Sequence, residues 1–143
     1  TNPRFYRHRG HRYLTTRQID KAIADFRRAA ALTRNQPDEI EPDGQPNRLN
    51  IPLSTLQFNI WYHLGLAYYL KADFKNALSA YRECLKRSRN NDDSLVATSD
   101  WLYMTLRRLG RDSEAAQVLT PITDKMDIIE NTSYWNRLLM YKG

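Results

Sequence analysis

Apolar residues recur three and four positions apart along most of the chain, a spacing that places them on one face of an α-helix. The period is clearest in residues 61–81, WYHLGLAYYLKADFKNALSAY, where a short polar break separates two such stretches. Weaker pairs of stretches lie in residues 3–33 and 94–126, and one more stretch, SYWNRLLMY, follows Asn131. The pattern predicts an all-α protein with three helix pairs and a terminal helix.

Signals for helix ends support this division. Residues 54–57, STLQ, have the form of a capping box, in which side chains satisfy the free N–H groups of a helix start. Asp73 and Asp112 stand where the second helices of two pairs should begin. Pro121 lacks the N–H that a helix interior needs, so we expect it to end or kink the second helix of the third pair.

The three pairs share one internal spacing. In each pair a residue of the first helix stands 12 positions before an alanine of the second helix. Small residues at such places let two helices approach closely, and each pair then leaves an apolar flank that only a neighbouring pair can cover. The residues with this spacing are Gly10 and Ala22, Gly65 and Ala77, and Tyr103 and Ala115.

The second pair resembles the tetratricopeptide repeat (TPR) family. Its residues follow the order and spacing of the W-x₂-L-G-x₂-Y…A-x₃-F signature, with tyrosine at the last place. The residues that carry this resemblance are Trp61, Leu64, Gly65, Tyr68, Ala77 and Tyr81.

The other two pairs match the same signature less completely. The first pair departs from it where Arg9 replaces the leucine, and the third pair matches more loosely. The resemblance covers nearly the whole chain and implies a right-handed superhelical stack of three antiparallel helix pairs plus a C-terminal capping helix. The matching residues of the first pair are Tyr6, Gly10, Tyr13, Ala22 and Phe26.

The resemblance divides a single TPR-like domain, residues 1–143, into five parts. We expect repeat one at about 3–33, a loop insert at about 34–53, repeat two at about 54–90, repeat three at about 94–126 and a terminal helix at about 132–142. The sequence begins at Thr1 without a methionine, and we expect it to be part of a longer chain.

The loop insert has an unusual composition. It contains four of the six prolines and the acids Asp38, Glu39, Glu41 and Asp43, which disfavours both helix and strand. A loop of this length in a compact domain is either functional or disordered, and the residues leave both readings open. One hypothesis is that the acidic insert lies across the binding surface of the repeats when no ligand is present.

In the TPR family the first helix of each pair lines a concave groove that holds a peptide or a helix of another protein. The resemblance therefore implies a non-catalytic scaffold. Thr15, Leu66, Asp100 and Met104 fall on the groove side by spacing. The predicted contact residues are Arg4, Arg7, His8, His11, Asn59, Tyr62, His63, Tyr69, Trp101, Arg107 and Arg108.

The predicted groove is basic and aromatic, and the chain has a formal net charge of +6. Both features favour a protein or peptide partner of acidic character. Nucleic acid is a rival, since arginines and aromatics can bind phosphates and bases. The irregular spacing of the repeats does not suit the modular code of RNA-reading helical repeats. Self-association through Tyr134, Trp135 and Tyr141 at the end of the stack is a further alternative.

Other classes of function find little support in the residues. His8, His11 and His63 share the groove and could ligate zinc or nickel, but no cysteine or carboxylate stands at a clear ligand spacing beside them. We expect no metal and no cofactor. No phosphate-binding loop or nucleophile motif occurs, so we expect no enzymatic activity. No run of about 18 apolar residues occurs, so we expect no insertion into a membrane.

Overall fold

The computed structural model describes residues 1–42 and 47–143, and Asp43 of the insert therefore lies outside the described residues. The regular secondary structure of the described residues is helical apart from one short strand pair, which confirms the predicted all-α class. No helix in these two ranges is long and apolar enough to cross a membrane. The elements are α1 (Pro3–Thr15), α2 (Ile19–Thr33), β1 (Ile40–Glu41), β2 (Ser54–Thr55), α3 (Leu56–Leu70), α4 (Phe74–Lys86), α5 (Asp92–Arg108), α6 (Asp112–Val118) and α7 (Thr132–Lys142).

One tight turn joins the two helices of each pair, and the three turns share one conformation. Arg17, Ala72 and Gly110 occupy the same place in these turns and have φ values of 65°, 62° and 72°. In each turn the next N–H donates to the carbonyl five residues earlier, as in Gln18 to Tyr13 at 2.8 Å. This is a Schellman-type helix end. Because the turns are short and alike, the chain folds back as three equivalent hairpins, α1–α2, α3–α4 and α5–α6.

Glycines allow the helices of the first two hairpins to pack closely. A Cβ atom on Gly65 would lie 2.7 Å from the ring of Tyr81, and one on Gly10 would lie 2.9 Å from the ring of Phe26. Tyr103 takes this place in the third hairpin, and its ring stacks on Tyr141 of α7 with centroids 4.5 Å apart. The third hairpin thus uses its small-residue place to bind the terminal helix.

The hairpins stack in chain order, since α2 packs on α3 and α4 packs on α5. Helix α7 packs on α5 and buries Leu138 completely. The buried carboxylate of Asp93 on α5 accepts the backbone N–H groups that precede α7, including those of Ile129 and Asn131 at 2.7 and 2.9 Å. These bonds fix the terminal helix against the third hairpin.

Candidate functional site

The insert closes one end of the surface formed by the first helices α1, α3 and α5. The carboxylate of Glu41 accepts hydrogen bonds from Arg7 Nη2 at 2.8 Å and from Asn59 Nδ2 at 2.9 Å. The side chains of Arg7 and Glu41 are only 10% and 14% exposed. Arg4 forms a more exposed ion pair with Glu39 at 2.8 Å. Three predicted groove residues, Arg4, Arg7 and Asn59, therefore donate hydrogen bonds to carboxylates of their own chain.

The start of α3 anchors the insert. Asp38 accepts hydrogen bonds from the Thr55 hydroxyl at 2.6 Å and from the backbone N–H of Gln57 at 3.0 Å. Residues Ile40 and Glu41 pair as a short antiparallel strand with β2. Part of the insert thus has extended backbone, where the sequence composition disfavoured a strand. The carboxylates and the strand pairing together hold residues 38–41 across the amino-terminal ends of α1 and α3.

Two histidines of the predicted groove, on the neighbouring first helices α1 and α3, contact each other. The rings of His11 and His63 contact edge to face, with centroids 4.9 Å apart, and His63 stacks on Phe26 at 5.9 Å. The Nδ1–H of His63 donates to the carbonyl of Asn59 at 2.7 Å. Burial, with the charge of Arg7 as a second cause, lowers the pKa of His63 to about 3. The same two causes lower the pKa of His11.

These histidines are therefore neutral near pH 7. His8, the third predicted histidine, is exposed on α1. In residues 1–42 and 47–143, no three histidine, cysteine, aspartate or glutamate side chains are grouped so that they could ligate one metal ion. The positive charge of the groove comes from arginines.

Helix α7 covers predicted groove residues on α3 and α5. The indole N–H of Trp101 donates to the hydroxyl of Tyr62 at 2.8 Å, and that hydroxyl lies 2.9 Å from the hydroxyl of Tyr134 on α7. Burial raises the pKa of Tyr62 well above its ordinary value. Asp100, expected in the groove, is fully buried and pairs with Arg137 of α7 at 2.8 Å. Tyr62 and Trp101 thus take part in internal packing with the terminal helix.

An open cleft of about 440 Å³ remains at the carboxyl-terminal ends of α3 and α5. Arg108 is exposed, and its Nε lies 3.4 Å from the hydroxyl of Tyr69. Arg107 donates to the hydroxyl of Tyr103 at 2.9 Å and pairs with Asp112 at the surface at 3.0 Å. We call this site the tyrosine cleft. Its lining residues are Tyr69, Tyr103, Met104, Arg107, Arg108 and Tyr141.

The sequence placed Tyr69, Arg107 and Arg108 in the groove, and the structure brings them together in this cleft. Sequence reasoning missed Tyr103 and Tyr141 as lining residues. It treated Tyr103 as a packing residue and Tyr141 as part of a dimer surface. The available signal was the tyrosine at a place where the other two hairpins have glycine, because so large a side chain must lie against some other element.

The chemistry of the tyrosine cleft suits binding. Guanidinium groups bind carboxylates in a two-pronged geometry, and tyrosine rings offer apolar faces together with a hydroxyl. Among the described residues, no carboxylate pairs with Arg108. The cleft can therefore hold a ligand that combines an acidic group with an apolar or aromatic one.

Comparisons with known proteins agree with this architecture. Residues 58–91 match a family model described as tetratricopeptide repeat. Over 98% of its length the chain is similar to the crystal structure of a TPR-like protein from Chlorobium tepidum TLS, with a TM-score of 0.61, 15% identity and 91% of that chain covered. At this identity the likeness concerns the fold. No curated protein matches the chain.

Proposed function

Since the chain contains a tetratricopeptide repeat within a TPR-like stack of helices, we propose that it is a non-catalytic scaffold that binds an acidic peptide segment of another protein. Repeats of this family generally serve protein interaction. The finer proposal is that the peptide lies along the open part of the concave groove, with its main contacts in the tyrosine cleft.

The observation that carries this proposal is the combination, in one cleft, of aromatic walls and of an arginine, Arg108, that pairs with no carboxylate of the described residues. Its volume of about 440 Å³ is within the range of about 300–1,000 Å³ that is typical of ligand pockets. Tyrosine and arginine are also the residues that most often dominate protein interfaces, because they combine apolar area with hydrogen bonding. The cleft thus supplies an anchor for an apolar side chain and a charge for a carboxylate.

The insert supports an acidic, extended ligand. Residues 38–41 already lie at the other end of the groove, where Arg4 and Arg7 bind Glu39 and Glu41. These two ion pairs support an acidic extended segment as the ligand. A partner segment would meet the same kind of surface further along, at His11, Tyr69 and Arg108.

Selection from a random-peptide display library tests the proposal. Peptides enriched on the immobilised protein should carry acidic residues together with an aromatic or aliphatic residue. A Tyr69→Ala, Arg108→Glu variant should lose at least tenfold in affinity for those peptides, because it removes the aromatic wall and reverses the free charge. Arg28→Glu on α2 is the matched control, since Arg28 is exposed and lies outside the cleft.

Equal binding by the double variant and the control would refute the assignment to the tyrosine cleft. Enrichment of peptides without acidic residues would refute the proposed ligand class. If a single-stranded oligonucleotide binds and its affinity falls steeply with salt while no peptide is enriched, the nucleic-acid alternative replaces the proposal.

Self-association is a second candidate, favoured by apolar side chains at both ends of the stack. Phe5 on α1 is 54% exposed and Met140 on α7 is 67% exposed. Isolated exposed residues of this kind are ordinary, so the test is the oligomeric state itself. Light scattering over a concentration series should show a dimer that Met140→Glu dissociates, and a monomer at all concentrations would refute this candidate.

A further inference from the structure

A second and larger cleft lies on the outer side of the stack, between the second helices α2 and α4. Both helices pack on α3, whose residues form the floor of the cleft. Its volume is about 650 Å³. We call it the outer cleft. The residues that matter for its chemistry are Trp61, Leu64 and Tyr68 on the floor, Arg27 and Arg34 on α2, and Arg87 on α4.

The floor of the outer cleft is a different face of α3 from the one that carries Tyr62 and Tyr69. Trp61 and Tyr68 are half-buried, and Leu64 is buried. The repeat signature in the sequence predicts that all three are packing residues. In the structure they pack between the hairpins and also line open space, so the seam between the hairpins is not completely filled.

The indole N–H of Trp61 distinguishes this floor. Trp101 donates to Tyr62, and Trp135 donates to the carbonyl of Thr123 at 2.8 Å. In contrast, none of the described residues accepts a hydrogen bond from the indole of Trp61. The nitrogen is not one of the buried side-chain atoms that lack a partner, so it is open to solvent at the edge of the cleft. A donor without a protein partner at the edge of a cleft is available to a ligand.

The rim of the outer cleft is positively charged. Arg27 and Arg34 are exposed, and no carboxylate in the described ranges pairs with either. The guanidinium of Arg87 lies 5.5 Å from the centre of the Trp61 ring. Among the described residues, Glu83 is the one acid that lines the outer cleft, and ion pairs with Arg87 and Lys86 at 3.0 and 2.8 Å neutralise it. The net field in the cleft therefore favours anions.

We propose that the outer cleft is a second binding site, for a short acidic peptide segment with one apolar anchor. The apolar side chain lies against Leu64 and Tyr68, flanking carboxylates bind Arg27 and Arg34, and a carbonyl of the peptide accepts the indole N–H of Trp61. This site lies on another face of α3 from the tyrosine cleft, so it is independent of the proposed groove ligand. The scaffold would then hold two segments at once.

The three tryptophans provide a direct test. In ¹H–¹⁵N spectra of the whole chain, each indole N–H gives one signal, and Trp61→Phe assigns the one from Trp61. Titration with the capped peptide Glu-Glu-Leu-Glu-Glu should shift the Trp61 signal progressively and leave the Trp135 signal in place. The capped peptide Gln-Gln-Leu-Gln-Gln is the matched control and should bind with less than a tenth of the affinity of the acidic peptide.

Charge reversal at the rim completes the test. Arg27→Glu with Arg34→Glu should weaken binding of the acidic peptide at least tenfold, whereas Arg28→Glu, on the same helix but outside the cleft, should not. An unshifted Trp61 signal at millimolar peptide would overturn the proposal. So would equal affinity for the two peptides. A shift confined to Trp101 would place the peptide in the concave groove, which would overturn this inference while it supports the proposed function.

Discussion

Acid should destabilise the fold through His63, because the folded protein resists protonation of this side chain. Its ring lies against Phe26 and His11, and its Nδ1–H is already bonded to the carbonyl of Asn59. Burial and the nearby charge of Arg7 lower its pKa from 6.5 to about 3. The unfolded chain therefore binds a proton that the folded chain does not, and stability is lost as the pH falls below the unfolded value of about 6.5.

The size of the effect follows from the interval between the two pKa values. One pH unit in that interval corresponds to about 1.4 kcal/mol, so at pH 5, about 1.5 units below the unfolded pKa, the loss is about 2 kcal/mol. At pH 7 the loss is close to zero for the same reason. His63 should thus contribute strongly to the pH dependence between these two values, with His11 acting in the same direction, above the range in which most carboxylates take up protons.

Urea unfolding followed by circular dichroism measures this effect. The loss of unfolding free energy between pH 7 and pH 5 should be about 2 kcal/mol larger in the wild type than in a His63→Gln variant. His8→Gln, which replaces an exposed histidine on α1, is the matched control. Equal pH dependence in the wild type and in His63→Gln would contradict the argument, as would an NMR titration in which the His63 ring protonates near pH 6.

Three further predictions concern packing, the insert and the single thiol. Gly65→Ala should lower the free energy of unfolding by about 1–2 kcal/mol despite its better helix propensity, because the new methyl group meets the Tyr81 ring at 2.7 Å; an unchanged thermal midpoint would show that this contact relaxes. Glu41→Ala should cost about 3 kcal/mol in urea unfolding because it leaves Arg7 buried without its counter-ion, and adding Arg7→Leu should recover most of the loss; a double variant as unstable as the single one would argue against the ion pair. Burial raises the pKa of Cys84 to about 12, so labelling by a thiol reagent at pH 8 should be no faster than unfolding, and rapid labelling would disprove its inaccessibility.

The sequence by itself determined the helical hairpins. Helices that are adjacent in the chain contact each other in each hairpin. The spacing of residues specifies such contacts directly, through the period of apolar residues, the short polar breaks and the glycines Gly10 and Gly65. The same spacing predicted which residues of each first helix share a face. It was sufficient to bring Tyr69, Arg107 and Arg108 into one cleft.

Only the tertiary structure decided which of these groove residues are engaged by their own chain. Arg7 meets Glu41, 34 positions away, and Asp100 meets Arg137, 37 positions away. The partner of each of these residues depends on how the insert and α7 lie in space. Spacing along a helix indicates the direction of a side chain but does not identify the distant segment that covers it.

The outer cleft was also decided by the tertiary structure alone. Its floor consists of signature residues of the repeat, such as Trp61, which the sequence alone would assign to packing. Whether two neighbouring hairpins close completely over such residues depends on the distance between helices that are far apart in the chain. That distance is set by the sum of all contacts in the stack, so it can be measured only once the hairpins are assembled.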